Sequence, residues 1–314
     1  MLLARRRQAL KRNLKQAVEG DGKGVHQARV ASRRLREAVP VLATGLKKSK
    51  ADKAGRKIRR ITRALGSIRE LDVTVSLIDE LAQRDTVPRL ALEHVRARVI
   101  HEQESRRVTM LKRLDRVKVA KLDRRLQSLS EALEAADAEQ WRETLAARLL
   151  KRSKLLRAAL ENAGQLYEAE RLHQVRIAAK KLRYALELAA ETGLREAKDP
   201  VLTIKRAQDM LGRLHDLQVL QTYVASVLAE PQSATPPDGG LEIIARLLED
   251  ECRRLHARYV STVPALLSVV ELTRSSLVPS VAQPGRRGRR HLKMDLGTLR
   301  PRSGRSSAAV NEGR

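Results

Sequence analysis

Two stretches carry side chains that can act on an anion. HQARVASRRLREA (residues 26–38) and HQVRIAAKKLRYA (173–185) each lead with histidine and then set arginine or lysine at helical spacing. On a helix advancing about 100° per residue, His26, Arg29, Arg33 and Arg36 fall within an arc of about 80°. Ala31, Leu35, Ala38, Val39 and Leu42 lie roughly opposite. The second copy repeats the wheel, with His173, Arg176, Lys180 and Arg183 on the basic arc and Ala178, Leu182, Ala185 and Leu186 on the apolar one. Arg34 and Lys181 lie off the arc but add charge.

A solvated helix face normally mixes signs, because acid–base pairs one turn apart support it and like charges oppose it. Neither basic arc contains an acid. An external polyanion would relieve that crowding, met by forked guanidinium and compact ammonium donors. His26 and His173, at matching places, add imidazolium donors, so affinity should fall as pH rises through the histidine pKa. A metal site is not expected, since no carboxylate or second histidine follows either one at i+3 or i+4. Hydrolysis would need clustered carboxylates or a nucleophile with its base. The acids here are scattered, so no catalysis and no cofactor are expected.

The elements that hold these side chains follow from the 314-residue chain, which can bury a sizeable core. Phe is absent and aromatics are 2%, so Leu, Ala, Val and Ile must fill it. Helical periodicity places helices at about 2–18, 25–46, 51–83, 88–115, 118–136, 140–163, 170–191, 197–229 and 241–272. GDGKG at 20–24, Pro88, GLREAKDP at 193–200 and PQSATPPDGG at 231–240 break them. No segment alternates as a strand does, so the class is all-α. The longest apolar runs are too short for a transmembrane helix, and the N-terminus lacks the order of a secretory signal, which points to the cytoplasm. Cys252 alone builds no disulfide and should pack as a small apolar residue.

The formal charge is +27. Residues from about 279 onward are rich in Pro, Gly, Ser and Arg without a buried stripe, and read as a disordered basic tail (276–314). That tail holds nine Lys/Arg against two Asp/Glu, so about +20 belongs to the folded part. The order of motifs also recurs. LGSIRELDV (65–73) resembles LGRLHDLQV (211–219), which implies duplication of a helical half, about 1–136 and 137–275, around a pseudo-two-fold axis. Arg59, Arg60 and Arg63 precede the first copy. Lys205, Arg206 and Asp209 precede the second, which loses one positive charge. Arg69 aligns with His215, and both precede an acid. Glu70, Asp72 and Asp216 read as ion pairs tethering helices, and Gly66 and Gly212 as points of close helix approach. Arg5, Arg12 and Lys15, with Lys151, Arg152 and Lys154, either rim the basic surface or are solvated.

The doubled histidine helix, VHQARVASRRLREAVPVL and LHQVRIAAKKLRYALEL, each followed by an LG-x-x-[RH]-[ED]-L segment, resembles the CHAD domain, the conserved histidine α-helical domain, over about residues 1–275. The resemblance implies two helical bundles about a pseudo-two-fold axis, with a basic groove or cavity between them that binds inorganic polyphosphate. It further implies association with polyphosphate granules and their proteins. The motif residues carried over are His26, Arg29, Arg33, Arg34, Arg36, His173, Arg176, Lys180, Lys181 and Arg183. Asp209 departs from the pattern at the Arg63 position. Relatives carry a triphosphate tunnel (CYTH) domain with an E-x-E-x-K strand. EQESR (102–106) is a near miss in a helical pattern, so no attached triphosphatase is expected. Nucleic acid is the rival partner, though four Tyr and one Trp are few for stacking bases.

Overall fold

The computed structural model describes residues 2–135, 140–230 and 239–282. Among them are ten α-helices and no strands: α1 (Leu2–Glu19), α2 (Gly22–Leu42), α3 (Lys48–Leu81), α4 (Arg89–Asp115), α5 (Val119–Ala135), α6 (Gln140–Ala163), α7 (Ala169–Glu191), α8 (Lys198–Leu228), α9 (Gly240–Leu272) and α10 (Val278–Ala282). A 3₁₀ turn, Arg195–Ala197, leads into α8, and a π turn, Thr273–Leu277, joins α9 to α10.

The glycine-rich stretch at 20–24 is less of a breaker than its composition suggests. Gly20 makes the turn, with φ +106°. Asp21 then caps α2, its side chain accepting the Lys23 amide at 2.8 Å. Gly24 is already helical and packs against α1, where an added Cβ would lie 2.6 Å from Gln16 Cβ and 2.8 Å from the Ala17 nitrogen. The other end of α2 stops at Leu42, short of the expected 46. Pro40 cannot donate in the last turn, and the Val41 carbonyl accepts both the Thr44 amide at 3.1 Å and its hydroxyl at 2.7 Å, which closes the helix.

Each helix in the first half packs on the next, α1 on α2, α2 on α3 and α3 on α4. The succession α6, α7, α8 and α9 does the same. The halves meet where α2 touches α6 and α7, α3 touches α8, and α4 touches α8 and α9. One continuous apolar core runs through both, from Leu35, Ile61 and Leu65 to Leu182, Leu186 and Leu214. The C-terminal parts of α2 and α7 are buried nearly all round and form its centre. Cys252 is fully buried in it.

Packed helix continues past residue 275. Leu277 and Val281 are buried, and α10 lies on α6. The expected tail therefore begins later than 276, and its residues 283–314 lie outside the described residues. By length and composition, Gly240–Ala282 could cross a membrane, which the sequence reading did not anticipate. Here it packs on α8, α6 and α4, with Leu255, Tyr259, Leu266 and Val270 in the core.

Candidate functional site

The contact between α2 and α7 turns the two basic arcs toward each other. Arg29, Arg33 and Arg36 of α2 and Arg176 and Lys180 of α7 act on one another electrostatically. Gly66 of α3 lies beside them, with the Arg29 Nη2 4.0 Å from where its Cβ would stand. α8 adds His215, whose ring centroid is 4.9 Å from that of His173. The result is a cationic cluster where α2 faces α7, bordered by α3 and α8 and called the groove below.

Crowding shows in the protonation of these groups. Burial, then Arg33, Arg176, Arg29 and Arg36, push Lys180 down to about 6. Arg29 is pushed down to about 10 by burial and by Arg33 and Arg176. Burial likewise lowers Arg36 and Arg176. Asp216 is near enough to favour the charge on Arg176, yet burial raises its own carboxyl. Among the described residues, neither Glu70 nor Asp216 closes an ion pair within 4.0 Å, and the Arg29 Nε is buried without a hydrogen-bond partner. A buried cationic donor left open is costly.

The expected tethering acids are therefore different ones. Asp72 accepts from the Gln103 amide at 2.9 Å, and burial raises its carboxyl. The tethers are Glu187, which pairs with Arg34 at 3.0 Å and Arg183 at 3.1 Å, and Glu37, which pairs with Arg148 at 3.1 Å and Arg152 at 3.7 Å. Glu191 holds Arg5 and Arg6, both at 3.1 Å. Arg34 and Arg183 are thus motif residues spent on the fold. Arg183 also lies over the buried Tyr184 ring, 4.9 Å from its centroid.

The histidines of the free protein are held toward the neutral form. Arg69 Nε donates to His26 Nδ1 at 3.2 Å, which requires a free lone pair there and so a neutral ring. Burial first, then Arg69, Arg29 and Arg33, lower the His26 pKa. Burial and Arg176 lower that of His173, and His215 is pushed down to about 4 by burial, Arg176 and His173. Without ligand these are neutral donors and acceptors at neutral pH, not imidazolium.

Of the remaining site residues, Lys181 is half-buried on α7. Arg59, Arg60 and Arg63 are exposed on α3, and Lys205 and Arg206 on α8. Arg60 and Arg63 share an open pocket with Arg113 and Arg116 of the α4 end. Sequence reasoning assigned no ligand role to Arg69, His215 or Tyr184, although the alignment of Arg69 with His215 was its available signal. Gly212 has open space where its Cβ would stand, so it marks no close approach.

The described residues thus form an all-α bundle in which two histidine-led basic helices face each other. The sequence matches the CHAD domain over residues 1–225, and the chain belongs to that family. No curated protein matches it. Among solved structures it is similar to the CHAD domain from the plant Ricinus communis, with TM-score 0.57 and 22% identity over 86% of this chain and 89% of that one. PptA from Streptomyces chartreusis aligns over 86% of this chain and 95% of its own, at 16% identity and TM-score 0.44.

Proposed function

We propose that the α2–α7 groove binds inorganic polyphosphate without turning it over, and that the protein serves at polyphosphate granules in the cytoplasm. The observation that carries this reading is the buried, unpartnered Arg29 Nε among Arg33, Arg36, Arg176 and Lys180. A chain of phosphates supplies an oxyanion to each donor in turn, and membership in the CHAD family supports that choice of ligand. The scarcity of exposed aromatics gives nucleic-acid bases little to stack on.

The test is a titration with long polyphosphate and with DNA at one salt concentration, for the wild type and for the combined Arg29→Ala, Arg33→Ala, Arg176→Ala and Lys180→Ala variant. Polyphosphate should outcompete DNA, the variant should lose that preference, and magnesium should release no phosphate. Equal competition in the wild type would leave a generic polycation.

A further inference from the structure

A second cationic feature lies farther round α3, toward the end of α4. Arg60 and Arg63 of α3 and Arg113 and Arg116 at the end of α4 line an open pocket of about 410 Å³. That volume is within the range of small-ligand sites, about 300–1,000 Å³. All four arginines are exposed, and none closes an ion pair within 4.0 Å among the described residues. Four like charges around one concavity repel unless an anion sits between them.

The adjoining turn is held in an uncommon conformation. Lys118 has φ +54°, in the left-handed region that side-chain-bearing residues rarely adopt. The Lys57 ammonium donates to the Val117 and Lys118 carbonyls and fixes that turn. Lys57 is itself crowded by Arg125, Lys121, Lys118 and Arg60, which add to burial in lowering its pKa. Cations thus line the pocket from α3, the end of α4 and the turn after it, and Lys121 and Arg125 of α5 add charge beside Lys57.

Basic residues of α3 also lead from the groove toward the pocket. With Gly66 at 0°, Arg59, Arg63 and Arg60 fall at about 20°, 60° and 120° around α3. That arc leads from the groove side to the α4 side. In the second half the corresponding positions are Lys205, Asp209 and Arg206, so an acid interrupts the arc there.

We propose that this pocket is a second phosphate-anion site, which takes the outgoing part of a polyphosphate strand after it crosses α3 from the groove. The proposal rests on the groove reading for the source of the strand. It gives the bound strand a direction, out over the first half, and makes affinity depend on chain length.

The test uses the full chain, with long polyphosphate and tripolyphosphate as separate probes. Arg113→Gln combined with Arg116→Gln should weaken long-chain binding about tenfold and reduce the slope of log K against log salt by about 1.4, as for two lost single-strand phosphate contacts. Tripolyphosphate, short enough to be held by the groove alone, should bind as before. Arg60→Gln, on the opposite wall, should repeat the effect in smaller measure, and a thermal melt checks that each variant is folded. Unchanged long-chain affinity in both pocket variants overturns the second site while leaving the groove intact. Loss in the pocket variants with full binding by the groove variant overturns the groove reading instead and supports the pocket as a site of its own.

Discussion

Arg34 of α2 and Glu187 of α7 close an ion pair at 3.0 Å between residues 153 apart in sequence. Glu187 also takes Arg183 at 3.1 Å, so one nearly buried carboxylate ties both repeated helices together beneath the groove. Glu187→Ala removes the shared acceptor and leaves two guanidinium groups facing each other. Because Arg34 is partly exposed, the expected loss of stability is about 2 kcal/mol, below that of a fully buried pair. Urea unfolding measures it. Polyphosphate affinity should hold or rise, since two cations are released, and a parallel loss of binding would show that the pair shapes the groove.

Lys180 gives the site opposed pH dependences. Its folded pKa, pushed down to about 6, lies below its ordinary value of 10.5. Between those limits the unfolded chain binds more protons than the folded one. Stability of the free protein should therefore rise with pH across that window, by up to about 1.4 kcal/mol per pH unit. A bound polyanion restores the proton, so affinity should fall as pH rises, by up to about tenfold per unit for one proton taken up. Calorimetry in buffers of different ionisation enthalpy counts that proton. Lys180→Arg, which stays charged, should flatten the affinity profile. A profile unchanged in that variant would assign the proton elsewhere.

The helices were legible because apolar residues recur at 3.6-residue spacing, and the facing arcs because charge recurs with them. The start of α2 was not, since Gly22 and Gly24 look like a break when Gly24 is the close packing of α1 on α2. The tether role of Glu187 was hidden for another reason. Its partner Arg34 lies on a helix brought near only by the tertiary fold, and nothing local marks the pair. The partner of His26 was hidden as well, because a helix wheel shows which side a ring takes but not that Arg69, 43 residues on, donates to it.

Lys180→Met should separate function from stability. The methionine keeps much of the volume while removing a cation that Arg29, Arg33, Arg36 and Arg176 crowd. Stability of the free protein should rise by about 1 kcal/mol near neutral pH or below, because folding no longer strips a proton from the side chain or crowds its charge, and polyphosphate affinity should fall about tenfold. Thermal melts with and without polyphosphate read both effects. A variant that is less stable without ligand would mean that packing, not charge, sets the cost of Lys180.

Gly24→Ala tests the entry of α2 on its own. The added Cβ would stand 2.6 Å from Gln16 Cβ and 2.8 Å from the Ala17 backbone nitrogen. Backbone does not yield as a side-chain tip does, so α1 must shift, at about 1–3 kcal/mol. The denaturation midpoint should drop with an unchanged denaturant slope. Groove affinity measured well below the melt should stay near that of the wild type.

The bond from Arg69 Nε to His26 Nδ1 fixes the His26 tautomer, with its proton on Nε2. Nitrogen NMR of the free protein at neutral pH should show a protonated Nε2 and a bare Nδ1. Arg69 is itself one of the cations beside the groove, and a phosphate oxygen competes with His26 for its donors. Addition of polyphosphate should therefore move the Nδ1 resonance as that bond is lost, and raise the pKa of the ring. Arg69→Gln removes the charge and the Nε donor together, so it should shift Nδ1 without ligand and weaken polyphosphate binding by a few-fold. If the ring is instead an imidazolium without ligand, Arg69 cannot donate to it, and the histidine would return to the direct cationic role that the sequence pattern first suggested.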